Sequence, residues 1–278
     1  MSVFVRGFGV RLVRRLGLLA GAVALSAGMA AASPVSLFPA GNFTVDYQQT
    51  GDAFGSNASA GVKLNTIGWA SAGGIALKLR GQPNSDFTAF CLDLAHEMTS
   101  GTRYRVADAN PTGNVFDTSA GAVGVNASQQ ASIQKLFNAV YSPAVLKSST
   151  ESAAFQLALW EVVTETKTYS GQIVFDVNSQ DAQRGNFYAL TGWHNTPSAI
   201  VAQANLYLAD MQAYTGPKRY DVTYLQSVIS CTGRRCTPTQ AGQNLVTVSA
   251  VPVPAAGVLL LTAFGGAGLV LRRRRKAA

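Results

Sequence analysis

Two stretches in the middle of the chain carry the same apolar stripe, and that repetition constrains the fold more than any other feature. Ile133, Leu136, Phe137, Val140 and Tyr141 fall at i, i+3, i+4, i+7 and i+8, and so do Phe155, Ala158, Leu159, Val162 and Val163. This is the spacing of one face of an α-helix, and such a face must be buried against another element. Asn126 and Gln129 stand at capping-box spacing before the first stripe, with Pro143 as its stop, and Ser148 and Glu151 precede the second. A third helix is expected from Thr196-Pro197 towards Tyr214, ending at Gly216-Pro217.

The partners for these helices lie on either side in sequence. Phe43–Tyr47, Val62–Ile67 and Gly74–Leu79 are short β-prone runs separated by Gly, Asn and Ser. Asp86–Leu94 reads as a further strand, with Ser100–Val106 placed to pair with it, and Ala107–Val125 as a surface loop rich in Gly, Asn, Asp and Thr. Arg219–Ile229 and Leu245–Ala250 are strand-like again. The expected class is therefore α+β, with an N-terminal strand-rich part, a central helical subdomain and short C-terminal strands, not a βαβ repeat.

The charge is segregated. The 278 residues are 47 % apolar and 13 % charged, with a formal net charge of +8. Arg6, Arg11, Arg14 and Arg15 hold part of the excess at one end, and Arg272, Arg273, Arg274, Arg275 and Lys276 at the other. Ser33–Ala250 keeps 13 basic and 14 acidic residues, a net of −1. Nucleic-acid binding needs a basic face on the folded body, so no nucleic-acid partner is expected.

The ends read as addresses. Scattered arginines, the apolar run Leu16–Ser26 and Ala30-Ala31-Ala32 make residues 1–32 a secretory signal peptide with a small-residue cleavage site. At the other end Val251, Pro252, Val253, Pro254 and Ala255 break regular structure, and 255–271 follows as 17 uncharged residues closed by the basic stop at 272–276. As a helix this segment would span roughly 25 Å, a short transmembrane anchor, with its basic cluster held on the cytoplasmic side. The expected divisions are 1–32 signal, 33–246 body and 247–278 tail.

The tail resembles the PEP-CTERM group of bacterial sorting signals, in the variant reading Val-Pro-Leu-Pro-Ala, with Val253 in place of Leu. The resemblance covers about the last tenth of the chain. It implies export in a Gram-negative cell, an inner-membrane intermediate, processing by an exosortase-type protease, and delivery to the cell surface or extracellular matrix.

Three cysteines remain to be placed. Cys231 and Cys236 enclose a four-residue turn that can close a small disulfide, which leaves Cys91 odd. Cys91 reads either as a small buried core residue or as a committed thiol. Gln156 sits inside the apolar run Ala154–Trp160, on a face shared with Trp160 and Val163, where a carboxamide must find partners.

Phe90-Cys91-Leu92-Asp93 and Phe155-Gln156-Leu157-Ala158-Leu159-Trp160 together resemble the thioester domains of bacterial surface adhesins. The resemblance spans roughly Ala89 to Glu165, and it assigns Cys91 as the thiol and Gln156 as the acyl donor. It implies that the Cys91 thiolate attacks the Gln156 side-chain carbonyl and expels ammonia, leaving an internal thioester that an amine or hydroxyl of a surface glycan or protein can open. Phe90, Phe155 and Trp160 are then the groups that exclude water. His96 reads as a surface strand-end residue or as an imidazole assisting proton transfer, and Asp93 as a turn or cap residue or as part of the motif.

Other chemistry finds no support in the residues. His96 and His194 are the only histidines, no zinc spacing or phosphate-binding glycine loop occurs, and no cofactor is implied. Glu161 and Glu165, at i and i+4, read as a solvated helix face rather than a hydrolase pair. The expectation is a non-enzymatic, adhesin-like surface protein. The alternative is a noncovalent structural or glycan-binding matrix protein with Cys91 inert.

Overall fold

The structure is a computed structural model that describes residues 37–251, apart from 53–57, 64–66, 93, 95, 109, 111–112, 117–123, 143–147, 166–167, 170–171, 179–185, 190–195 and 229–241. The expected signal peptide and sorting tail beyond Val251, including Pro252, Pro254, Ala255 and Arg272–Lys276, lie outside the described residues. So do Asp93, Pro143, His194, Cys231 and Cys236. Among the described residues no helix is long and apolar enough to cross a membrane.

Strands β1 (Asn42–Asp52), β2 (Ala58–Lys63), β3 (Ile67–Ala72), β4 (Ile75–Leu79), β5 (Phe87–Cys91) and β6 (Arg103–Ala107) come first. Helices α1 (Ala127–Val140) and α2 (Ser149–Thr164) follow. The short strands β7 (Thr168–Tyr169), β8 (Gln172–Ile173) and β9 (Tyr188–Ala189) precede α3 (Ser198–Ala213), and β10 (Tyr220–Val228) and β11 (Leu245–Ala250) end the fold. The mixed α+β class is as expected. Strand β11 runs to Ala250, past residue 246 where the body was expected to end.

Six strands close into an antiparallel barrel in the order β1-β4-β5-β11-β10-β6. The C-terminal strands are therefore integral to the N-terminal sheet. Two expectations need correction. Strand β6 pairs with β1 and β10, not with β5, which instead lies between β4 and β11. The run Val62–Ile67 is not one strand: β2 ends at Lys63, β3 begins at Ile67, and the two pair as an antiparallel hairpin joined by β9 on the other edge of β2.

Cross-strand partners share a face of the sheet, so the register defines the barrel interior: Val45 opposite Leu79, Ile75 opposite Ala89, Cys91 opposite Leu245, Leu245 opposite Leu225, and Phe43 opposite Tyr104. The outward residue Phe90 meets the helices. Its ring lies 4.7 Å from Phe155 of α2, 6.1 Å from Phe137 of α1 and 6.1 Å from Tyr141. Each such pair contributes about 0.5–1.5 kcal/mol beyond the area it buries. The loop before α1 is also tied down: Phe116 and Val125 are buried, and Phe116 packs edge-on against Tyr224.

Helix α1 begins with the full capping box: Asn126 Oδ1 accepts from the Gln129 N–H and Gln129 Oε1 from the Asn126 N–H. At α2 only half of the box forms. Ser148 Oγ accepts from the Glu151 N–H, while its hydroxyl donates to the Glu151 carboxylate.

Helix α2 departs from the amphipathic expectation. Every residue from Ser152 to Glu165 is buried, because α1, α3, the β2–β3 hairpin and barrel strand β5 pack around the helix. The expected solvated carboxylates are thus inside: Glu161 is 0 % exposed and Glu165 1 %. Glu161 Oε1 accepts the Asp176 N–H and Glu165 Oε2 the Asn186 N–H, so the two carboxyls clasp the segment that follows α2.

Candidate functional site

Cys91 closes β5, with its side chain on the inner face of the barrel, opposite Leu245. The Leu92 N–H donates to Asn244 O on the β11 side, so the N–H and C=O of Cys91 face the β4 side. There the ladder has run out, since β4 starts at Ile75, opposite Ala89. Gly73, at φ 148°, takes the chain through the turn from β3, a conformation that favours glycine. Two buried backbone groups of Cys91 are thereby left without a strand partner, a costly arrangement unless something else bonds them.

Helix α2 supplies the partner. Gln156 Oε1 accepts the Cys91 N–H at 3.0 Å, and Gln156 Nε2 donates to Cys91 O at 2.8 Å. One turn earlier, Ser152 Oγ accepts the Gly74 N–H at 2.8 Å. Spaced at i and i+4, Ser152 and Gln156 stitch the open end of the β4–β5 seam to the helix. The two segments singled out in the sequence are therefore in direct contact, and Gln156 is fully buried. Its carboxamide is committed to the main chain of Cys91.

The thiol itself faces another carboxamide. Cys91 S–H donates to Gln243 Oε1, with sulfur and oxygen 2.7 Å apart. Gln243 is held from both sides: Tyr104 O–H donates to its carbonyl at 2.9 Å, and its N–H donates to Glu97 O at 3.3 Å. Cys91 and Gln243 are only 6 % and 7 % exposed. Neither Gln243 nor Tyr104 was singled out in the sequence. The signal available was the polar pair Gln243-Asn244 immediately before an apolar strand, a pattern that also marks an ordinary turn.

The segment from His96 to Gly101 straps across this end of the barrel. Tyr47 O–H donates to Met98 O at 2.6 Å, and Gly101 N–H to Val45 O at 2.8 Å. Ser100 bonds Asp46, whose carboxylate also takes both Arg80 Nε–H and Nη2–H, at 2.9 and 2.7 Å. The Arg80 hydrogen bond holds the Asp46 carboxyl below its usual range. Tyr47 is pushed up, first by burial and then by the charges of Cys91 and Glu97. His96 is half-buried in this strap.

Phe90 and Phe155 are fully buried on the helix side of Cys91 and close it from that direction. Trp160 is buried too, but it lies a turn beyond Gln156 with its ring 6.2 Å from Phe187. Burial pushes the Glu161 carboxyl up to about 8, the Asp176 N–H opposes this, and the charges of Glu165 and Asp176 add to the rise. Among the described residues no group of three or more His, Cys, Asp or Glu is arranged to hold a metal. Comparison with protein-family models, with curated proteins and with solved structures finds no match to this chain.

Proposed function

We propose that the protein is an exported, surface-sorted adhesin-like protein whose barrel holds an internal thioester formed by Cys91. The observation that carries this reading is the 2.7 Å approach of Cys91 Sγ to the Gln243 carboxamide oxygen. That separation is inside van der Waals contact and matches the distance from sulfur to oxygen across an S–C=O linkage. On this geometry Gln243 is the acyl donor, while Gln156, the donor that the resemblance assigns, positions the Cys91 backbone.

In the forming step the Cys91 sulfur bonds to Cδ of Gln243, the C–N bond of the carboxamide breaks, and nitrogen leaves as ammonia with the thiol proton. A target amine or hydroxyl later adds to the same carbon, and the thiol departs with the target's proton. The partner is covalently attached and nothing turns over. Low exposure of both residues keeps water from competing for the acyl carbon. The signal-like 1–32 segment and the sorting tail support export, an inner-membrane intermediate with a transmembrane 255–271 segment, exosortase-type processing and a final place on the cell surface or in its matrix.

Mass spectrometry of the purified protein tests the bond. A thioester leaves the chain one ammonia lighter than its sequence, allowing for any Cys231–Cys236 disulfide. Methylamine then labels the acyl donor and exposes the Cys91 thiol. A label on Gln243 supports the connectivity proposed, and a label on Gln156 restores the one implied by resemblance. Full sequence mass with Cys91 open to alkylation overturns the covalent mechanism and leaves a noncovalent matrix protein.

A further inference from the structure

A second site lies on the outside of the barrel, where β6 and β10 meet the loop that follows β6. A groove of about 440 Å³ is lined there by Arg105, Val106, Asp108, Asn110, Asn114 and Gln226, among others. Its volume is in the range of small-ligand sites. Three features give it a chemical preference.

The first is rigidity. Gln130, from the first turn of α1, donates its carboxamide hydrogens towards Asn110 O, Gly113 O and Val125 O at 2.8, 3.0 and 3.0 Å. Val115 N–H donates to Val125 O at 3.0 Å, so the loop wall is pinned to the helix. On the opposite wall Arg105 Nε and Nη2 both donate to Gln226 Oε1, at 3.1 and 2.7 Å, which fixes the guanidinium plane.

The second is unmet hydrogen-bonding capacity. Among the described residues Gln226 Nε2, the Asn114 carboxamide and the Asp108 carboxylate have no protein partner, so their bonds go to water or to a ligand. All three, with the guanidinium, are planar groups that present paired donors or acceptors. The third is charge. One arginine and one aspartate offset each other, which disfavours an anion or a cation as occupant.

We infer that this groove is a noncovalent binding site for a neutral, hydroxyl-rich carbohydrate chain. Vicinal hydroxyls supply both donors and acceptors to the carboxamides, the carboxylate and the guanidinium. The site is independent of the thioester and would bring the protein to a glycan surface before any covalent step.

The test is titration of the full chain, in mild detergent, with neutral glucose and N-acetylglucosamine oligomers, with uronate oligomers and with inorganic phosphate, followed by saturation-transfer NMR. Neutral oligomers should bind, insensitively to salt, and Gln226→Ala or Asn114→Ala should weaken them at least tenfold. Both variants should keep the mass and methylamine response of the parent protein, so failure here is separable from failure of the thioester. Binding of uronate or phosphate alone, abolished by salt or by Arg105→Gln, would make this an anion site and overturn the inference. So would the absence of any oligosaccharide signal at millimolar concentration.

Discussion

Glu161 offers the sharpest test of the packing, because its carboxyl is buried in the helix around which the fold is built. Its folded value of about 8 stands above the ordinary 4.5, with burial as the main cause. The folded protein therefore keeps a proton that the unfolded chain releases above pH 4.5. Between pH 4.5 and 8 the unfolded state binds fewer protons, so stability falls as pH rises, by about 1.4 kcal/mol per pH unit for one group. Across the whole window the loss is on the order of 4–5 kcal/mol, a large part of the stability of a domain this size. Glu161→Gln keeps an oxygen for the Asp176 N–H and cannot ionise. Urea unfolding at pH 5, 6.5 and 8 should find the variant close to the parent at pH 5 and more stable by several kcal/mol at pH 8. The difference between the two proteins isolates Glu161 from every other titrating group. A difference that does not change with pH would refute the reasoning and mean that water reaches the carboxyl.

Ser152→Ala leaves the Gly74 N–H without its bond and should cost about 1–3 kcal/mol in urea unfolding, with local hydrogen-exchange protection lost at Gly74. Tyr47→Phe removes the hydroxyl that holds Met98 O. Iodoacetamide should then label Cys91 faster wherever the thiol is free, and methylamine should open the thioester faster wherever it has formed; unchanged rates in both would remove the strap as the barrier to solvent. Exported protein should lack the Arg272–Ala278 peptide, and mass spectrometry that recovers this peptide intact from the surface fraction would count against the sorting tail.

The parts of the fold legible in the sequence are those governed by neighbours along the chain. The capping box at Asn126 and Gln129, the buried stripe of α1, the helical span of α2 and the span Leu245–Ala250 all depend on local spacing, and each is found where expected. Strand order is different, since nothing within Ser100–Val106 distinguishes β5 from β1 or β10 as a partner. The reading of Glu161 and Glu165 failed for another reason. Helical spacing cannot register that both carboxyls enter the interior by accepting a backbone N–H from the segment after α2. Half of the candidate site was visible as Cys91 and Gln156. Gln243 was not, because its role comes from the closure of β11 against β5, which brings it from 152 positions away along the chain.

That closure sets an order of events. Strand β11 is the last segment of the fold to leave a ribosome or a translocation channel, yet it occupies the gap between β5 and β10. Until it arrives those two strands present unpaired edges, prone to the wrong partners. The segment that brings Gln243 to the Cys91 thiol is not yet held in place either. A chain interrupted before Leu245 is thus an open sheet, and on the proposed connectivity the Gln243 carboxamide is set against the Cys91 sulfur only when β11 closes the barrel. On that proposal the barrel acts as its own proofreading: only a finished molecule is armed.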